Sequence, residues 1–144
     1  NKTELIELCN YLVKFKKENK EYAHYLLFEK NNETQFIDNI KNEIEQMFQD
    51  VNIYQVYFAK KTLRKILKFV NNICKYSKET LTHLELHIFF CQKLKNIQLD
   101  WTKSTVLINL YKSELKKISL LVLKLHEDLQ YDYKEKINEL EITF

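Results

Sequence analysis

Apolar residues recur at three- and four-residue spacing along almost the whole chain, and clusters of Asn, Ser and Thr mark the breaks. This pattern predicts about six helices. The first spans Thr3 to Lys17, with Leu5, Leu8, Cys9, Leu12 and Val13 on one face, and the second covers Lys20 to Lys30. After the polar 31-NNET-34, a third carries Phe36, Ile37, Ile40, Ile44, Met47, Phe48 and Val51, a continuous ladder of helical spacing. A fourth runs from Asn52 to Tyr76, and Ser77 is placed to cap the fifth, its hydroxyl accepting a free amide of the first turn.

The fifth helix, 81-LTHLELHIFFCQKLKNI-97, is apolar around more than half its circumference and leaves a narrow polar strip that includes Glu85, Gln92 and Lys93. It is expected at the centre of the fold. A sixth helix is expected from Thr102 or Ser104 to Tyr131, with a continuation towards Ile142. Its middle, 118-ISLLVLKL-125, is apolar nearly all round and calls for enclosure by neighbours or by a second subunit. Ile108, Tyr111, Leu115, Ile118, Val122, Leu125 and Leu129 keep heptad spacing, which suits a bundle core and alternatively a homodimer through residues 108–129. Trp101, Tyr131, Tyr133 and Phe144 would extend either surface.

Composition narrows the fold class. There is no glycine and no proline among 144 residues, so the usual residues of tight β-turns are missing and connections must use Asn, Asp, Ser and Thr. Hydrophobic residues at 45% with charged residues at 30% are those of a folding chain. The expectation is an all-α single domain over residues 1–144, as an antiparallel helical bundle or a short stack of helical hairpins. Cys9, Cys74 and Cys91 are odd in number, lack CxxC spacing and sit among apolar residues, as buried thiols of a reducing cytoplasm do. No basic-then-apolar leader opens the sequence and no apolar run nears about 18 residues, so a cytoplasmic chain that does not span a membrane is expected.

Local charge says more than the net charge of +3. The stretch 58-FAKKTLRKILKFVNNICKYSK-78 carries Lys60, Lys61, Arg64, Lys65, Lys68, Lys75 and Lys78, and no acid occurs between residues 51 and 78. On a helical wheel these bases gather on one side, with Tyr54, Tyr57, Asn71 and Asn72, opposite Leu63, Ile66, Leu67, Val70, Ile73 and Cys74. Cations for phosphates beside aromatic faces for stacking are the ingredients of single-stranded nucleic-acid surfaces. Two plainer readings compete: a solvated face of a lysine-rich protein, or neutralisation by the acidic segments 29–50 and 127–141, each of net charge −4. Arg64 is the only arginine, which weighs against base-specific reading.

Signatures of chemistry are sparse. His83, His87 and Cys91 share a helix face at four-residue spacing, but the motif is HxExH and a structural zinc would need a fourth ligand, such as His24 or His126. Glu21 and His24 form one Glu-x-x-His where a di-iron bundle needs two, with two more glutamates. The absence of glycine excludes nucleophile elbows and phosphate loops. No metal, no cofactor and no enzyme activity are expected.

The segments 5-LIELCNYLVKFKKENKEYAHYLLF-28, 58-FAKKTLRKILKFV-70 and 81-LTHLELHIFF-90 together resemble a group of small bacterial all-helical proteins classed as a domain of unknown function. The likeness covers residues 4 to 95, rests on amphipathic patterning and a few aromatic positions, and implies a bacterial, cytoplasmic helical domain. It carries over no functional residue. The expected function is a non-catalytic helical module that binds another protein through helix faces. The alternative is binding of single-stranded RNA or DNA backbone by the basic face around residues 54–78.

Overall fold

The computed structural model describes residues 1–142. Phe144, expected to extend an aromatic surface, lies outside them. Among the described residues there are seven α-helices, with a π turn and a 3-10 turn, and no strand. The all-helical expectation from the absence of glycine and proline holds. The chain divides into two compact units, Asn1–Phe36 and Ile37–Phe144.

The first unit holds α1 (Lys2–Phe15), α2 (Lys17–His24), the π turn Tyr25–Glu29 and the start of α3 (Glu33–Gln49). Lys16 is extended, with φ −140° and ψ 149°, and separates α1 from α2. The side-chain amide of Asn19 closes the junction by donating to the Leu12 carbonyl at 2.7 Å. Tyr25 is the anchor here: its ring meets Phe36 at 4.8 Å between centroids and its hydroxyl donates to the Glu33 carboxylate. No residue of α1 is buried, although its apolar stripe has the spacing of a core-facing helix.

The second unit holds the rest of α3, α4 (Val56–Tyr76), α5 (Thr80–Lys95), the 3-10 turn Trp101–Lys103, α6 (Thr105–Val122) and α7 (Glu127–Leu140). As its all-round apolar sequence requires, α5 is central: Leu84, Leu86, Phe90 and Leu94 are wholly buried, and α4, α6 and α7 pack on it. Phe48 of α3 adds a ring contact to Phe90 at 5.7 Å. The polar strip of α5 is used rather than solvated. Glu85 receives Lys41 at 2.8 Å and the Tyr133 hydroxyl, and Lys93 reaches Glu45 at 2.9 Å.

Five expectations need correction. The first is Cys9, which is exposed on α1 rather than buried. The fourth helix begins at Val56, not Asn52, because the Asn52 side chain accepts the amides of Tyr54 (2.9 Å) and Gln55 (3.0 Å) and forms a turn instead. Ser77 does not cap α5; it closes α4, and its hydroxyl accepts the amide of Glu79, which itself precedes α5. The sixth helix is two helices. After Val122 the chain turns, His126 caps α7 through its Nδ1 to the Asp128 amide, and the Gln130 side chain binds the Leu125 carbonyl at 2.8 Å. The heptad run is thereby divided, with Tyr111 and Ile118 buried in the fold, Leu125 in the turn and Leu129 on α7. Residues 118–125 are not enclosed all round either, since Leu120 is 54% and Leu123 69% exposed.

Candidate functional site

The outer face of α4 exists because Ala59, Leu63, Ile66, Val70 and Ile73 turn inward at helical spacing and are buried. The intervening bases therefore turn outward. Lys61, Arg64, Lys65, Lys68, Lys75 and Lys78 are exposed, while Lys60 is half-buried at the edge of the face. None of the seven makes an ion pair among the described residues. The acids expected to neutralise them are engaged elsewhere in the cases of Glu45, which binds Lys93 of α5, and Asp128, which lies 3.6 Å from His126.

Aromatic rings collect at the N-terminal end of this face. Tyr54, in the turn built by Asn52, is 88% exposed, and Tyr57 and Phe58 stand edge to face at 5.3 Å. The Lys61 ammonium lies over the Tyr57 ring, 4.6 Å from its centroid. At about 1.5 Å per residue, the helix presents its cations from Lys60 to Lys75 along roughly 22 Å, and Lys78 follows just beyond its end. Asn71 belongs to the other side of the expectation: it is half-buried and its Oδ1 accepts from Lys117 of α6 at 3.4 Å.

A second cluster lies inside the same unit. Cys74 of α4, His87 of α5 and Glu114 of α6 meet in a row, with Cys74 Sγ 3.8 Å from His87 Nε2 and His87 Nδ1 2.5 Å from Glu114 Oε2. His87 and Glu114 are each 2% exposed, whereas Cys74 is half-buried. The second oxygen of Glu114 faces the Lys117 ammonium at 3.5 Å, so the buried carboxylate has a cation and an imidazole as partners. Burial pushes the Cys74 thiol up to about 12, with Lys117 opposing and Glu114 adding to the shift. Burial, with Glu114, raises the fully enclosed Cys91 as well.

Sequence reasoning missed this row. Glu114 sits in 111-YKSELKK-117 one residue off the heptad seam of Tyr111 and Leu115, among three lysines, and only the packing of α6 on α5 brings it to His87. The residues that share the spacing of a zinc face part company: His83 Nε2 lies 2.6 Å from the Ser77 carbonyl, while His87 faces Glu114. Among the described residues no group of three or more His, Cys, Asp and Glu side chains is placed to hold a metal ion. His24 lies 3.4 Å from Glu29, and Glu21 3.8 Å from Lys17. Between the end of α6 and α7 an open groove of about 430 Å³ is lined by Val122, Tyr131 and Ile137, and its lining includes neither α4 nor His87. Among the described residues no helix is long and apolar enough to cross a membrane.

In comparisons with known proteins, no family model, no curated protein and no solved structure matches the chain.

Proposed function

We propose that this chain is a binding module without catalytic turnover, and that its contact surface is the outer face of α4, which takes the phosphate backbone of single-stranded nucleic acid. The observation that carries the reading is a row of cations without carboxylate partners among the described residues, ending in exposed Tyr54 and Tyr57. Lysines give phosphate contacts without base recognition, so affinity is expected to be salt-sensitive and tolerant of sequence. Stacking on the tyrosines would favour single strands over duplexes. In this reading the second unit is an antiparallel bundle that serves as a rigid mount for α4, and the module works in the cytoplasm with its thiols reduced.

The test is fluorescence anisotropy with labelled single-stranded RNA and duplex DNA over a series of salt concentrations. Wild type is compared with the triple variant Lys61→Glu, Arg64→Glu, Lys68→Glu; Lys61 is preferred to Lys60 because it is the more exposed. Salt-dependent binding that the variant loses supports the reading. Absence of binding at low salt sinks it.

A different observation favours a protein partner, the reading ranked first from sequence. Leu5, Leu8, Leu12 and Phe15 of α1 are each more than half exposed, at 60%, 53%, 55% and 77%. Contiguous apolar surface of this kind marks protein contacts. The distinguishing result is a specific association that Leu8→Glu with Leu12→Glu abolishes and that charge reversal on α4 leaves intact.

A further inference from the structure

The row Cys74, His87, Glu114 has the order of a nucleophile, a base and a carboxylate that orients the base. With Nδ1 at 2.5 Å from a buried carboxylate oxygen, the proton between them belongs to Nδ1, which donates to Glu114. In the neutral imidazole this arrangement leaves the Nε2 lone pair facing Cys74 Sγ at 3.8 Å, within reach of the thiol proton. The three residues come from three helices packed in one core, so the alignment is held by α4, α5 and α6 together rather than by a loop. From the sides of the network, Lys117 of α6 faces Glu114 and Cys91 of α5 lies within its field, while Cys74, half-buried, is the least enclosed member of the row.

We infer that Cys74 is a modification site at which a low-molecular-weight disulfide, of the glutathione disulfide class, forms a mixed disulfide with His87 as general base and Glu114 positioning the imidazole. The step balances. Sγ attacks one sulfur of the reagent, the new S–S bond forms as the old one breaks, the thiol proton passes to Nε2, and the leaving thiolate takes a proton to depart as a free thiol. Cys74 is oxidised and one half of the reagent is reduced. A pre-formed thiolate is not required: the sulfur holds its proton at rest, and the imidazole removes it as the bond forms. The protonated imidazole is then stabilised by the Glu114 carboxylate.

The bland role for the same residues is a buried polar clasp between helices, and the two roles predict opposite signs. In a Cys9→Ser chain, which removes the exposed thiol of α1, glutathione disulfide is added and adducts are followed by intact mass and peptide mapping. The expected result is one adduct, on Cys74 and not Cys91, formed at least about tenfold more slowly in His87→Gln, as loss of a general base requires. Glu114→Gln, which keeps an acceptor for Nδ1, is expected to slow the reaction by less. If the network is only a clasp, both variants loosen the core and expose Cys74, so an unchanged or faster reaction overturns the inference even where a variant is destabilised. Modification of Cys91 ahead of Cys74 overturns it equally.

Discussion

The Lys41 ammonium of α3 lies 2.8 Å from Oε2 of Glu85 on α5, and the other oxygen of Glu85 accepts the Tyr133 hydroxyl of α7. One carboxylate thus ties two outer helices to the central one. Burial acts to raise the Glu85 carboxyl, but the bonds from Lys41 and Tyr133 and the charges of Lys41 and Lys136 outweigh it and hold the group below its ordinary value. The reverse holds across the bond, where burial and then Glu85 push the Tyr133 phenol up.

A carboxyl depressed in the folded state contributes stability that is fully present above its unfolded value, about 4.3, and is lost as pH falls through the folded value. Glu85→Gln is therefore expected to lower the urea midpoint at pH 7. The gap from wild type should close as pH falls below about 4.3 and through the lowered folded value, where the wild-type carboxyl takes up its proton. A gap that stays constant across that range would show that Glu85 acts by shape alone.

Burial sets a contrast between two leucines of the same chemistry. Leu63 of α4 is wholly enclosed, and Leu63→Ala should cost about 2–5 kcal/mol through lost transfer energy and the cavity left behind. Leu8 of α1 is 53% exposed, and Leu8→Ala should stay within about 0.5 kcal/mol. Chemical denaturation of both variants checks this, and a loss above about 2 kcal/mol for Leu8→Ala would mean that the α1 face is covered in solution.

On the α4 face the quantity to read is the salt slope rather than the affinity. Arg64 is exposed and without an ion pair among the described residues, so Arg64→Ala should leave the thermal midpoint unchanged. If Arg64 meets one phosphate, the slope of log affinity against log salt should fall in magnitude by about 0.7 for a single strand. Tyr57→Ala should weaken single-strand binding by about 1–3 kcal/mol while leaving that slope unaltered. A slope that both changes leave intact would place the contact elsewhere.

Much of this architecture is legible in the chain because helical periodicity is a local signal. The inward set Leu63, Ile66, Val70 and Ile73 and the all-round apolar character of α5 each mark their burial without reference to a partner. The break after Val122 was illegible because neither Gly nor Pro marks it; it is made by His126 and Gln130, residues that a helix interior also accepts. The start of α4 was misplaced for a related reason, since Asn52 both tolerates a helix and competes with one. Glu114 was invisible because its burial depends on which face of α6 meets α5, a long-range fact that a Lys-rich neighbourhood conceals. The stripe of α1 shows the converse error: amphipathic spacing states that a face wants cover, not that this chain supplies it.

The buried pair His87 and Glu114 makes the sharpest energetic statement. Removing one member strands the other in a dry site: Glu114→Ala leaves the imidazole Nδ1 without its acceptor, and His87→Ala leaves a buried carboxylate that has lost the imidazole and keeps the Lys117 ammonium at 3.5 Å. Each single change should cost about 1–3 kcal/mol, the usual penalty for leaving a buried polar group without its partner, and more where the stranded group is the carboxylate. Replacing both with apolar side chains of similar size, as in His87→Leu with Glu114→Leu, removes the desolvation cost along with the attraction and should come within about 1–2 kcal/mol of wild type. Denaturant midpoints for the alanine and leucine singles and the leucine double complete the comparison. A double variant as unstable as the sum of its singles would mean that the two side chains stabilise the core independently, through packing, rather than through the bond between them.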